Sequence, residues 1–267
     1  MRRRTVVQSL LGAAMALFGN RAFVQVVSPG VIASLAPTGR IRVAINYGNA
    51  ALAVRDPATG KLSGVSVDIA EELGKRVGLP ITLVPFDAAG KVSAAVKDDA
   101  WDVAFLARDP ERAREISFTA AYVVIDGNYV VRKDSPLTRV AQVDSDGVRI
   151  AVSTQSAYDL FLTRTIKRAQ LFRGGTTPQA IALFLSARYE VVAGVKQAMQ
   201  QLVASEPTVR MIPEPFMEIN QAMCTPAGRD AGAAYLSAFV ETIKSNGFVA
   251  QALVRNGQAD ASVASPG

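Results

Sequence analysis

Residues 101–119 read Trp101-Asp102-Val103-Ala104-Phe105-Leu106-Ala107-Arg108-Asp109-Pro110-Glu111-Arg112-Ala113-Arg114-Glu115-Ile116-Ser117-Phe118-Thr119. Trp101 to Leu106 is a short apolar run, which suits a strand buried on both faces. It leads straight into a helix start. Asp is a preferred N-cap, and Pro fits the first helical position, where its missing N–H is no loss. That places Arg112 in the first turn, at the positive end of the macrodipole, where a cation is mildly disfavoured. A partner that offsets the mismatch is expected, and a carboxylate ligand is one candidate. A solvated or salt-bridged arginine is the other reading.

Working back toward the N-terminus, the chain alternates strand and helix. Ile41 to Ile45 is a strand, Asp56 to Gly60 is turn-rich, and Ser66 to Val77 is a helix closed by Gly78 ahead of Pro80. Ile69, Ala70, Leu73 and Val77 fall on one face of that helix. Ile81 to Phe86 is a strand and Lys91 to Asp98 a helix. The pattern is βαβαβ, which implies a parallel sheet covered by helices. Beyond Thr119 the same grammar restarts. Tyr122 to Arg132 is an apolar strand broken at Asp126-Gly127. Val148 to Ser153, Leu171-Phe172, Glu190 to Ala193, Val209 to Ile212 and Ile219 to Cys224 are strands. Helices cover Ser156 to Arg168, Thr177 to Ala187 and Val195 to Ala204. Two more, Arg229 to Asn246 and Phe248 to Asn256, close the chain on either side of Gly247. Two such units predict an α/β protein of two lobes, each a mostly parallel sheet flanked by helices. Ligands of such sheets bind at the carboxyl ends of the strands, so the site is expected in the cleft between lobes. The divisions read 1–37 as an export signal and N-terminal segment, 38–128 as lobe 1, 129–222 as lobe 2, and 223–267 as C-terminal helices returning to lobe 1.

Composition narrows the chemistry. There is no histidine, and Cys224 is the single cysteine. Imidazole metal ligands, Ser-His and Cys-His nucleophile pairs, intrachain disulfides and thiolate clusters are all removed. Cys224 reads as a buried inert thiol. No metal or cofactor is expected. The net charge of +6 is local in origin. Setting aside Arg2, Arg3, Arg4 and Arg21, the 29 basic residues fall to 25 against 23 acidic ones. No basic run is interleaved with aromatics, so nucleic acid is not an expected partner.

The first residues carry an export pattern. Met1-Arg2-Arg3-Arg4 is a positive n-region, and Val6 to Leu17 is largely apolar. Arg3-Arg4-Thr5-Val6-Val7-Gln8 is similar to a twin-arginine signal; a general-secretion signal is the alternative. Ala14-Met15-Ala16 and Ser34-Leu35-Ala36 both offer small residues for cleavage. Apolar residues resume from Ala22 to Ala36, so an uncleaved N-terminal anchor also stays open. The expected location is the periplasm.

Taken in order and spacing, these segments resemble the type II periplasmic substrate-binding proteins, specifically solute-binding family 3, which serves amino-acid ABC importers. The resemblance rests on Gly64-Val65-Ser66-Val67-Asp68-Ile69-Ala70, on Trp101 to Ala104 followed by Asp109 to Ala113 and Ile116 to Tyr122, and on Gly147 to Val152 with Ser156-Ala157-Tyr158. It runs from about Ile41 to Gly257. It implies a two-lobe periplasmic binding protein type II fold that closes on a small solute. Arg112 would clamp the solute's carboxylate through parallel charge-assisted hydrogen bonds. Gln155, Ser156, Ala157 and Tyr158 would face the solute from the second lobe, although Ser156 also suits a plain helix cap with Asp159 three residues on. Asn46, Tyr47 and Asn49 would form a wall of the first lobe, with Phe105 and Ala107 beside Arg112. Tyr47 either stacks on solute or packs; Asn46 and Asn49 either bond solute or shape a turn around Gly48.

The chain departs from the family pattern where an α-ammonium group is held. Relatives place an aspartate shortly after the residue matching Glu190; here Val195 and Lys196 stand there. Phe105, Ala107 and Asp109 replace small or hydroxyl residues. The expected function is therefore an extracytoplasmic receptor of an ABC importer, not an enzyme. Its solute is a small carboxylate, either an amino acid or a related organic acid. Its partners are a membrane permease and ATPase, and the receptor is a monomer. Two alternatives are a dehydratase-like enzyme on the same scaffold, with Glu190 or Asp109 as the acid, and a ligand-sensing module for a membrane receptor.

Overall fold

The computed structural model describes residues 27–258 and 260–267. The twin-arginine pattern, the apolar run to Leu17 and the Ala14-Met15-Ala16 cleavage candidate lie outside the described residues. Among those described, no helix is long and apolar enough to cross a membrane.

The first lobe opens with helix α1 (Pro29–Leu35), capped by Ser28, then strand β1 (Ile41–Asn46). A small hairpin of β2 (Val54–Arg55) and β3 (Leu62–Ser63) precedes helix α2 (Val65–Val77). Gly78 ends α2 in the left-handed conformation, as its place before Pro80 predicts. Then come β4 (Ile81–Phe86), α3 (Ala89–Ala94) and β5 (Val103–Ala107). β1 pairs in parallel with both β4 and β5. The long strand β6 (Ile116–Arg132) carries the chain into the second lobe. There, β7 (Arg149–Ser153), α4 (Ala157–Thr165), β8 (Gln170–Gly174), α5 (Thr177–Ser186), β9 (Val191–Val195) and α6 (Lys196–Ser205) repeat the alternation, with β7 parallel to β8 and β9. A short β10 (Val209–Met211) pairs with the far end of β6. Strand β11 (Met217–Pro226) returns between β5 and β6, antiparallel to both. Helices α7 (Asp230–Ser245) and α8 (Phe248–Arg255) follow, divided by Gly247 in the left-handed conformation, and β12 (Ser262–Val263) pairs with β6.

The strand order is β4-β1-β5-β11-β6-β9-β7-β8. Parallel strands occupy the two ends, and the antiparallel pair β6 and β11 joins them. The join is tight at a glycine. At Gly127, β6 passes from pairing with Met217 to pairing with Val195, and a Cβ there would lie 2.8 Å from Met217 Cγ.

Three local expectations are corrected. Strand β6 does not break at Asp126-Gly127; continuous pairing to β11 and β9 carries it through. Helix α3 stops at Ala94 rather than Asp98. The Trp101 indole takes the Val92 carbonyl at 2.9 Å, and the chain tightens into turns after it. The segment after Asp109 is a single 3₁₀ turn, Arg112–Arg114, and not a helix, because β6 begins at Ile116. Asp109 still caps: its Oδ1 accepts from the Glu111 N–H at 2.9 Å. One turn has little macrodipole, so the dipole argument for a ligand at Arg112 does not survive. Burial supplies a stronger one.

Candidate functional site

Asn46 ends β1, Ala107 ends β5, Ser153 ends β7 and Val195 ends β9, and all four line one cavity. The carboxyl ends of the parallel strands of both lobes thus converge, as the rule for such sheets requires. The cavity's enclosed room is about 50 Å³, and its mouth opens to solvent.

Arg112 lines the cavity and is 5 % exposed. Two backbone carbonyls orient it, one from each lobe. Nη1 donates to Ala107 O at 2.9 Å, and Nη2 donates to Gln155 O at 2.8 Å. A guanidinium has five N–H donors. The buried Nε has no partner among the described residues, and neither has the side chain as a whole any ion pair there. Burial lowers the Arg112 pKa to about 10, with the charge of Asp109 partly offsetting it. The group therefore stays a cation at neutral pH, poorly solvated and short of an anion.

Cross-lobe contacts frame it. Arg164 of α4 donates to Asp109 Oδ2 at 2.8 Å, which explains how Asp109 is 6 % exposed without being orphaned. Gly90 of α3 meets the turn at Thr154-Gln155; a Cβ on it would lie 2.7 Å from Gln155 Cβ and 2.8 Å from Thr154 O. Gln155 itself has φ 56°, a left-handed conformation uncommon for a side chain of its kind. That twist aims its carbonyl at Arg112 while its N–H donates to Asp159 Oδ2 at 2.7 Å.

Of the residues singled out in the sequence, Arg112, Asn46, Asn49, Phe105, Ala107, Ser156, Ala157 and Tyr158 line the cavity. Asn46 has a second task, since its Oδ1 accepts from the Gly48 N–H at 3.1 Å. Asn49 is 8 % exposed and its buried Oδ1 has no partner among the described residues. Ser156 caps α4 through the Asp159 N–H at 3.1 Å and also lines the cavity. Two residues sit elsewhere. Tyr47 turns into a neighbouring cleft, with the Arg55 guanidinium 5.6 Å from its ring. The physical reason is Gly48, whose missing side chain lets the loop press against Asp87 O, where a Cβ would come within 2.0 Å. Gln155 does not line the cavity with its side chain and contributes only its carbonyl. Lys196, beside Val195, turns away to Asp126 at 3.4 Å.

Sequence reasoning missed Ser66, Ser153, Thr177, Ile219 and Gln221. Ser66 and Ser153 had a readable signal, since each stands at the start of a helix or the end of a strand that faces the cleft. Gln221 had none. Strand β11 shifts register between Gln221 and Ala222 and again before Cys224, and the Met223 N–H goes to Thr119 Oγ1 at 3.2 Å. Such an irregularity re-aims side chains. The two carboxyls considered for acid catalysis are committed elsewhere, Asp109 to Arg164 and Glu190 to Arg149 at 2.7 Å. Cys224 is fully buried, with its thiol pKa raised by desolvation.

A paired-lobe α/β molecule with a cationic cleft at its strand ends is a type II periplasmic binding protein fold. The sequence profile of bacterial extracellular solute-binding proteins, family 3, matches residues 41–258, and the chain belongs to that family. None of the curated proteins is similar enough in sequence to be matched to it. Among solved structures it is similar to the solute receptors for L-cysteine of Neisseria gonorrhoeae (TM-score 0.73, 19 % identity, covering 84 % of this chain and 92 % of that one). An amino acid ABC transporter substrate-binding protein from Streptococcus pneumoniae, bound to L-arginine, gives TM-score 0.72 at 15 % identity over 85 % of this chain and 98 % of that one. A binding component of an ABC transporter from Wolinella succinogenes, complexed with lysine, gives 0.71 at 18 % identity over 82 % and 95 %.

Proposed function

We propose that this protein is the extracytoplasmic receptor of an ABC importer and takes a small carboxylate into the cleft between its lobes. The observation that carries this reading is Arg112. A buried cation costs stability unless it is paired. Here it is held by two carbonyls in the cavity between the lobes, with its Nε unpartnered. A carboxylate completes it with two parallel charge-assisted hydrogen bonds. Asn46, Asn49, Phe105 and Ala107 form the wall on the first lobe, and Ser156, Ala157 and Tyr158 the wall on the second. In this reading the lobes are 38–128 and 129–222, with the C-terminal helices returning to the first. They hinge where β6 and β11 cross, and solute favours the closed form by touching both. The receptor acts as a monomer in the periplasm and delivers its solute to a permease driven by an ATPase. Family membership and the ABC-transporter descriptions of its structural neighbours support this role.

An enzymatic reading has one point in its favour. The ancestral amino acid-binding protein AncCDT-1, described as a precursor of cyclohexadienyl dehydratase, is similar at TM-score 0.68 and 16 % identity, covering 81 % of this chain and 95 % of that one. Such chemistry needs a carboxylic acid poised at the substrate. No Asp or Glu among the described residues lines the cavity, which favours binding over catalysis.

The test is calorimetric titration of the wild-type protein and Arg112→Glu with a panel of small carboxylates. Charge reversal is expected to abolish binding while the far-ultraviolet circular dichroism stays unchanged. Full affinity in Arg112→Glu would eliminate the clamp.

A further inference from the structure

The cavity carries a charge pattern that narrows its solute. Among the described residues lining it, Arg112 is the sole charged side chain. Four carboxylates on the elements and turns around the cavity are each paired with another cation: Asp109 with Arg164 at 2.8 Å, Asp159 with Arg173 at 2.9 Å, Asp126 with Lys196 at 3.4 Å, and Asp87 with Lys91 at 2.8 Å. At the end of β9, where a strand terminus faces the cleft, the side chain presented is Val195. The remaining polar groups are neutral. Asn49 offers a buried oxygen without a partner, Gln221 brings an amide from β11, and Ser153, Tyr158 and Thr177 bring hydroxyls.

We infer that the solute is a monoanion whose second polar group is neutral, a 2-hydroxy carboxylate or similar compound, and that an α-ammonium group is refused. The inference rests on the receptor reading above and specifies its solute class. A carboxylate at Arg112 leaves the cavity electrically balanced. An ammonium on the adjacent carbon brings a second cation close to the guanidinium through space. It must shed its water and finds no anion in exchange. A hydroxyl at the same carbon both donates and accepts and brings no charge, so neutral amides and hydroxyls satisfy it without a counter-ion.

The experiment compares isosteric pairs by thermal shift and calorimetry: lactate with L-alanine, glycerate with L-serine, 2-hydroxyisocaproate with L-leucine, and 3-phenyllactate with L-phenylalanine. Wild type is expected to bind at least one hydroxy acid about a hundredfold more tightly than its amino-acid partner, the size set by an uncompensated buried charge. Val195→Asp is expected to narrow or reverse that ratio. Equal or tighter binding of the amino acids by wild type, lost in Arg112→Gln, overturns this inference and leaves the receptor reading intact. Binding of neither series overturns both. The wild-type comparison stands alone if Val195→Asp does not fold.

Discussion

Asp102 shows how one buried charge ties distant parts of the sequence together. Its carboxylate is fully buried and accepts from the Arg42 backbone N–H at 2.9 Å, from Arg42 Nη2 at 2.8 Å and from Arg229 Nη1 at 2.7 Å. Burial pushes its pKa up, but the bonds from Arg42 and Arg229 outweigh burial and hold it below the ordinary carboxylate value. A depressed folded pKa means that the stabilisation is complete above the unfolded value, near 4, and is lost as pH falls through the folded one. Asp102→Asn removes the buried anion that Arg42 and Arg229 share and leaves both cations to the exposed Asp99. It is expected to cost about 3–5 kcal/mol in urea unfolding at pH 7, a gap that closes below the normal carboxylate range. A gap independent of pH would remove the ionic account. Arg112 is the contrasting residue, since its charge meets no such anion. Its candidacy for the site came from the resemblance to family 3, because the helix-start argument fails at a single 3₁₀ turn. The direction of Tyr47 was not legible, because it follows from how closely Gly48 approaches the Asp87 backbone, a contact between segments that no local pattern records.

At the level of elements, periodic apolar runs gave most strands and helices, since a helix or strand must bury one face whatever its neighbours. What escaped was set by tertiary contacts. The Trp101 indole shortens α3, and the nearby start of β6 leaves Arg112–Arg114 only one turn. The paired register shifts of β11 bring in Gln221. Helix α1 is a further case, because its residues were read as part of an export segment or anchor. Leu35 is fully buried, Ser34 Oγ accepts from the Gly232 N–H at 3.0 Å, and Arg229 Nη1 donates to Ser34 O at 3.2 Å. Cleavage after Ala36 would delete this contact and uncap α7. A chain beginning at Pro37 is expected to be less stable than one beginning at Val27 by about 2–4 kcal/mol, as measured by denaturant unfolding. Equal stability would show that α1 contributes nothing to the fold.

At the scale of the whole molecule, the lobes share one sheet through β6 and β11, and polar pairs across the cleft add to that join. Arg164 is 39 % exposed and Asp109 4 %, so their ion pair is partly screened and worth about 1 kcal/mol. Arg164→Gln is expected to loosen the lobes, raising the solute-free radius of gyration in small-angle X-ray scattering. Solute affinity should fall about fivefold. An unchanged scattering profile with unchanged affinity would mean the pair does not latch anything. Closure also depends on a group that is missing. At Gly90 the two halves touch backbone to backbone, and there is space for a hydrogen and nothing larger. That position acts as a spacer of least thickness. Any carbon placed on it becomes a wedge between the jaws, holding Gln155 back from the guanidinium it helps to aim.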